Sequence, residues 1–173
     1  MVTFKGINHL ALITGDMEKT TVFYRDVLGM PLVATLGAEL GGVPMRHYFF
    51  KLGESNTIAF FEWKDRIEEF HKPAGEPASG RIQFDHLSFN VVDEEALLAL
   101  KTRLESKGVD VTRVVDHGFI RSVYFTDPNG IALEASYWVK DATAGEPDYD
   151  DPTFFQDSDP VPALRLSKSP AKA

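Results

Sequence analysis

Three features of this 173-residue chain predict an α+β fold made of two βαβββ modules. A short apolar strand, a capped amphipathic helix and a stop glycine occur in that order twice. Three strand-like runs follow each occurrence, and the last two form a strongly signalled hairpin. Recurrence of a whole supersecondary unit outweighs the reading of any single element.

In the first module, assigned to residues 4–64, the run 7–13, INHLALI, reads as a strand interrupted by Asn8 and His9. Asp16 suits an N-cap, with Glu18 in the first turn and Val22, Phe23, Val27 and Leu28 on one helical face; Gly29 is a natural C′ residue. Strands are expected over 31–36, 45–52 and 57–63, with turns at Gly41-Gly42 and around Gly53 to Asn56. Residues 65–80 turn to charge, Pro and Gly and read as a linker, with one helical turn over 66–70 and His71 on the surface.

The pattern then restarts in a second module, 81–139. The run 84–91, FDHLSFNV, places Asp85-His86-Leu87 where Asn8-His9-Leu10 stood. Asp93 caps a helix carrying Ala96, Leu97, Leu100 and Leu104, and Gly108 ends it. Strands are expected over 109–115, 122–126 and 131–138. The last two flank Asp127-Pro128-Asn129-Gly130, where Pro128 presets φ for the first corner and Asn129-Gly130 tolerates positive φ. Residues 1–139 thus form one domain of two modules. The tail, 140–173, is rich in Asp, Pro, Ala and Ser and cannot bury enough apolar surface to order itself, with Thr153-Phe154-Phe155 as its one anchor.

Composition narrows the function classes. The chain has 43% hydrophobic residues, no cysteine and a net charge of −8. It therefore has no disulfide, no thiolate metal site and no cysteine nucleophile. Acidity argues against nucleic acid or an anionic membrane as partner, and no apolar run approaches a membrane span. A cytoplasmic protein acting on a small molecule is the expectation.

The chemistry centres on Glu134, a carboxylate in mid-strand among apolar neighbours, which calls for a nearby cation. Overlaying the modules puts His9 over His86 and Ile58-Ala59-Phe60-Phe61 over Ile131-Ala132-Leu133-Glu134. In this register Phe61, not Glu62, corresponds to Glu134, because a one-residue slip reverses the face. Two histidines and one carboxylate without Cys leave open positions on a six-coordinate divalent ion, as suits non-haem Fe(II); Zn accepts the same donors. The aromatic residues that line such a face would favour a planar apolar substrate.

With His9, FYRDVLGM from Phe23 to Met30, DHLSFNV around His86 and YFTDPNGIALE ending at Glu134, the sequence resembles the vicinal oxygen chelate superfamily over roughly residues 4–138. The resemblance implies that the paired modules curl into a half-open β-barrel, helices outside, with a metal on the concave face, and that members often pair into homodimers. It implies a metal triad of His9, His86 and Glu134, the set of type I extradiol dioxygenases and fosfomycin thiol transferases. Glyoxalases and methylmalonyl-CoA epimerases place a fourth ligand where Phe61 stands, and a phenyl ring cannot coordinate. Extradiol enzymes carry a tyrosine ten residues before the metal glutamate, matched by Tyr124, and a histidine in the preceding loop, for which His117 is the candidate.

One departure stands out. The segment GESNTIAFF resembles the one whose histidine is the dioxygenase acid–base catalyst, and Asn56 takes that place here. Asn accepts no proton at neutral pH, so His47, His117 or a metal-bound ligand would have to substitute, or the reaction differs. The sequence thus points to a metal-dependent ring-cleaving dioxygenase, Fe(II) favoured over Mn, Ni, Co or Zn, with Tyr124 and His117 catalytic and Asn56, Phe61 and His47 binding a vicinally oxygenated aromatic. The alternatives are a Lewis-acid lyase, isomerase or thiol transferase, and a binding protein similar to the bleomycin-resistance members, which would hold its ligand without the triad.

Overall fold

The computed structural model describes residues 7–54, 56–63, 68, 70–76, 85–145 and 148–156. Two four-stranded sheets carry the chain, and each is made by one module. The first contains β1 (His9–Thr14), β2 (Leu32–Leu40), β3 (Val43–Gly53) and β4 (Asn56–Trp63) in the order β1-β4-β3-β2. The second contains β5 (Leu87–Asn90), β6 (Val115–Asp116), β7 (Ile120–Thr126) and β8 (Ala132–Trp138) in the matching order β5-β8-β7-β6. In both, the first strand joins the last in parallel and the remaining pairs are antiparallel. The expected α+β duplication is therefore present, as two open sheets.

Helix α1 (Met17–Thr21) is capped by the Asp16 carboxylate, which accepts from the Lys19 N–H at 3.0 Å. It continues as a π-helical segment, Val22–Val27, and stops at Gly29 with φ 79°. Helix α2 (Glu94–Ser106) is capped in the same way by Asp93. The helices share one core between the modules. Tyr24, Phe50, Ile58 and Phe60 of the first module and Phe89, Leu97, Leu104, Phe125 and Leu133 of the second belong to a single buried cluster. Fully burying each such side chain contributes about 1.5–3 kcal/mol.

Polar contacts lock the modules together at the same seam. Asn129, at the tip of the β7–β8 hairpin, lies 2.6 Å from Thr14 Oγ1, and its amide donates to Thr20 at 3.0 Å. Tyr24 donates its hydroxyl to Asp127 at 3.1 Å, and Arg103 of α2 donates to the Val27 carbonyl that ends the first helix at 2.6 Å. Burial raises the Asp127 carboxyl above its ordinary range, and burial followed by the Asp127 charge pushes Tyr24 well upward.

Two elements differ from expectation. The strand expected over 109–115 shrinks to Val115–Asp116 plus an isolated bridge from Val111 to Phe125. The first-module hairpin is longer than expected, with pairing from Leu40–Val43 down to Leu32–Phe50. The helical turn expected over 66–70 falls largely outside the described residues. Among the described residues no helix is long and apolar enough to cross a membrane.

The tail anchors on the second sheet. Phe154 meets the ring of Phe119 edge-on at 5.5 Å, and Phe119 stacks on Trp138 of β8.

Candidate metal centre

Strand alternation decides which side chains can meet. On β8, Leu133, Ala135 and Tyr137 face the core, so Glu134 and Ser136 face the other way. Tyr124 pairs directly with Glu134 across β7–β8 and shares its face. Ser88 pairs with Glu134 across the parallel edge, and His86 lies two residues before Ser88 on the same side.

The result is a close meeting of the two expected second-module ligands. His86 Nε2 stands 2.7 Å from Glu134 Oε2, and His86 Nδ1 stands 2.7 Å from Asp85 Oδ1. Glu134 is 5% exposed, whereas His86 is open to solvent. The Asp85 carboxyl is held below the ordinary carboxylate range by the His86 ring and by Lys72. The donor chemistry suits a divalent ion: an imidazole nitrogen and a carboxylate oxygen face each other, and the second ring nitrogen has the carboxylate partner that orients ligating histidines.

Tyr124 adjoins this pair, its ring edge-on to His86 with centroids 5.9 Å apart. Its hydroxyl lies 2.8 Å from His117 Nε2. Burial, followed by the Glu134 charge, raises the Tyr124 phenol above its ordinary value. The tyrosine and the loop histidine, each singled out separately in the sequence, are therefore in direct contact.

The first module gathers a different group. His9 is exposed at the start of β1, with Nδ1 2.8 Å from Asn8 Oδ1. Its ring lies edge-on to Phe49 at 5.7 Å and 6.3 Å from His47. His47 stacks on Phe61 with centroids 3.5 Å apart, and Phe61 stacks on Trp63 at 5.8 Å. These side chains share one face, since His47 pairs with Phe61 across β3–β4 and Ile13 pairs with Phe61 across β1–β4. Burial and the neighbouring His9 lower the His47 pKa, and its Nε2 is buried without a partner. Glu62 points the other way, accepting from the Met17 N–H at 2.8 Å and pairing with Arg46. Asn56 turns back on its own loop, its amide donating to the Glu54 carbonyl at 2.7 Å.

Within one chain, the structure brings His86 to Glu134 and Tyr124 to His117, and it places His9 beside His47 and Phe49. Among the described residues no three His, Cys, Asp or Glu side chains converge to hold one ion. A cavity of about 670 Å³ lies elsewhere, between the linker and the loop after α2; Tyr124 and Asp127 border it, but His9, His86 and Glu134 do not. The imidazole–carboxylate pair of His86 and Glu134, rather than this cavity, is the candidate centre. The linker contributes to it through Lys72, a residue that sequence reasoning passes over, since nothing in a polar, proline-containing stretch signals a buried lysine.

Comparison with known proteins agrees with the fold. The family model for the Glyoxalase/Bleomycin resistance protein/Dioxygenase superfamily matches residues 6–135. A manganese-dependent 2,3-dihydroxybiphenyl 1,2-dioxygenase of Geobacillus genomosp. 3 is 27% identical over 80% of this chain and 38% of its own length. A lactoylglutathione lyase of Pseudomonas aeruginosa is 27% identical over 77% of this chain and 79% of its own. A metallothiol transferase FosB of Staphylococcus epidermidis is 27% identical over 75% and 81%. The chain thus spans about two fifths of the dioxygenase and about four fifths of the other two. Among solved structures, a glyoxylase/bleomycin resistance protein/dioxygenase domain from Frankia sp. EAN1pec superposes with a TM-score of 0.63 at 23% identity, covering 79% of this chain and 99% of that one. The duplicated βαβββ sheets and the matched segment together show that the chain belongs to the Glyoxalase/Bleomycin resistance protein/Dioxygenase superfamily.

Proposed function

We propose that this chain is a metal-dependent enzyme that cleaves a small vicinally oxygenated aromatic with O₂, its ion held by His86 and Glu134 together with His9. The observation that carries the reading is the 2.7 Å approach of His86 Nε2 to Glu134 Oε2 beside a hydrogen-bonded Tyr124–His117 pair. A divalent ion there would draw both substrate oxygens into its open positions and lower their pKa. Iron and manganese are the ions of choice for oxygen chemistry, and manganese is the metal named for the dioxygenase relative.

The rest is supplied by the chain. Tyr124, whose phenol burial and the Glu134 charge raise above its ordinary value, would take the proton of a substrate hydroxyl on its oxygen as it passes its own to His117, 2.8 Å away. His117 would relay that proton to solvent, the role Asn56 cannot fill. The stacked His47, Phe61 and Trp63 rings offer a flat apolar wall suited to an aromatic ring.

Because His9 stands apart from His86 and Glu134, the reading includes a homodimer in which His9 of a second copy completes each centre. The face of the first sheet around His9 is open and apolar, with Ile13 53% and Leu36 54% exposed. Such a surface is suited to being covered by another copy.

A Lewis-acid reading stands second, favoured by one observation: the chain spans far more of the lyase and transferase relatives than of the dioxygenase. Metal analysis of protein purified without oxygen or chelators, followed by O₂ uptake with a panel of catechols, separates the two. Near one iron or manganese per chain, lost in His86→Ala, with catechol-dependent uptake supports the oxygenase. Turnover of an epoxide or hemithioacetal without O₂ supports the Lewis-acid reading, and absence of metal in both proteins leaves a binding module.

A further inference from the structure

The segment between the modules reaches the candidate centre through one side chain. Lys72 is 3% exposed, although lysine is among the residues least often buried. Its ammonium donates to the Glu76 carbonyl at 2.7 Å and to Asp85 Oδ1 at 3.2 Å. The same oxygen faces His86 Nδ1 at 2.7 Å, and His86 Nε2 in turn faces Glu134. Four side chains therefore form one continuous path from the linker to the ligand pair.

The backbone around Lys72 is fixed as firmly as its side chain. The Lys72 N–H donates to the Gly130 carbonyl at 2.8 Å. A Cβ on Gly130 would stand 1.8 Å from the Phe70 carbonyl, and one on Gly75 would rest on the Tyr124 ring. The segment thus crosses the hairpin turn at one end and the Tyr124 ring at the other. Burying an ammonium group there forfeits its hydration and its rotamer freedom, so a compensating partner is required, and Asp85 is the charged one. Asp85 itself is half exposed, with 50% of its side-chain surface open. Without Lys72 it would be free to swing into water.

We propose that Lys72 and Asp85 are positioning residues of the centre: Lys72 holds Asp85 against His86 Nδ1, which fixes the ring's tautomer and leaves Nε2 to face the ion with Glu134. This rests on the reading that His86 and Glu134 hold a divalent ion, and it adds a residue from outside both modules. A ligating histidine coordinates through one nitrogen and donates the N–H of the other, and the donor's partner sets ring orientation and basicity. A charge-assisted bond to lysine restrains that carboxylate more than water can.

The test is calorimetric titration with Mn²⁺ of the full chain, of Lys72→Met, Asp85→Asn and their double variant, and of His86→Ala, with a thermal melt of each. Asp85→Asn should weaken Mn²⁺ binding about 10- to 100-fold. Lys72→Met should weaken it about 10-fold, and the double variant should bind no worse than Asp85→Asn, because one path is cut once. In metal-free, ¹⁵N-labelled protein at alkaline pH, Asp85→Asn should shift the neutral His86 ring toward its Nε2–H tautomer, because Glu134 is then the only carboxylate against it, which a loss of general stability would not do. Unchanged Mn²⁺ affinity in folded Asp85→Asn, an unchanged tautomer, or additive losses in the double variant would overturn the proposal. Should Lys72→Met fail to fold, the exposed Asp85 position decides alone. Failure of the parent chain to bind Mn²⁺, or full binding by His86→Ala, would instead bring down the metal reading and the proposal with it.

Discussion

The imidazole of His47 lies flat on the ring of Phe61, centroids 3.5 Å apart and planes 19° from parallel. The contact buries a titratable group in an aromatic stack, where its charged form is disfavoured. Burial, then His9, depresses its pKa below the ordinary 6.5. The folded state therefore binds fewer protons than the unfolded state just below that value, so stability is fully present above about 6.5 and falls as pH drops through the lowered pKa. Denaturant midpoints of the metal-free protein from pH 8 to pH 5 should decline on the acid side. His47→Phe should lose that component of the decline.

Tyr124 and His117 act as one unit if the phenol positions substrate and the imidazole moves its proton. Tyr124→Phe is expected to lower kcat/KM for an accepted catechol about 100-fold, within the range for general acid–base groups. Addition of His117→Ala should cost little more, since the pair is then already broken. Steady-state O₂ uptake by the two single variants and the double variant checks this, and fully multiplicative losses would show independent roles.

Sharing of the centre between copies has a distinctive signature. His9→Ala and His86→Ala should each abolish metal binding as pure homodimers. Unfolded together and refolded at equal concentration, half of the dimers are mixed, and each mixed dimer has one intact centre, so about a quarter of the parent's sites should return. Metal content of the refolded mixture measures it. No recovery would place all three ligands within one chain.

Gly130 is held at φ 75°, and the linker backbone leaves no room for a side chain there. Gly130→Ala must strain the turn and displace the segment carrying Lys72. A loss of about 3 kcal/mol is expected from the two effects. Chemical denaturation reports it, and a change below about 0.5 kcal/mol would mean the linker does not pass over the turn.

Much of this architecture is legible in local pattern. Asp16 and Asp93 cap because carboxylates at those positions answer to the next few backbone N–H groups alone, and the Asp127-Pro128-Asn129-Gly130 turn carries its own geometry. The facing of Glu134 and Tyr124 follows from strand parity. What is not legible depends on partners distant in sequence. The π-helical stretch Val22–Val27 has ordinary helix-forming residues; its widening accompanies Tyr24 reaching Asp127, 103 residues away. The run 109–115 has strand-like composition but pairs with β7 only at Val111 and Val115. Lys72 looks like any surface lysine until the chain has folded around it. Whether His9 joins His86 is a matter of how modules assemble, about which two matching strands say nothing.

The parallel edge that joins β5 to β8 also closes a long loop within the second module. His86 and Glu134 are 48 residues apart in sequence, and α2 and the whole β7–β8 hairpin form from shorter-range contacts between them. Loop closure of that length is paid in chain entropy and comes late. Within the second module the His86–Glu134 contact is expected to form after α2 and the β7–β8 hairpin. An ion that grips both residues should then lengthen the lifetime of the native chain while leaving the rate at which that chain forms nearly unchanged, which unfolding and refolding rates with and without Mn²⁺ measure.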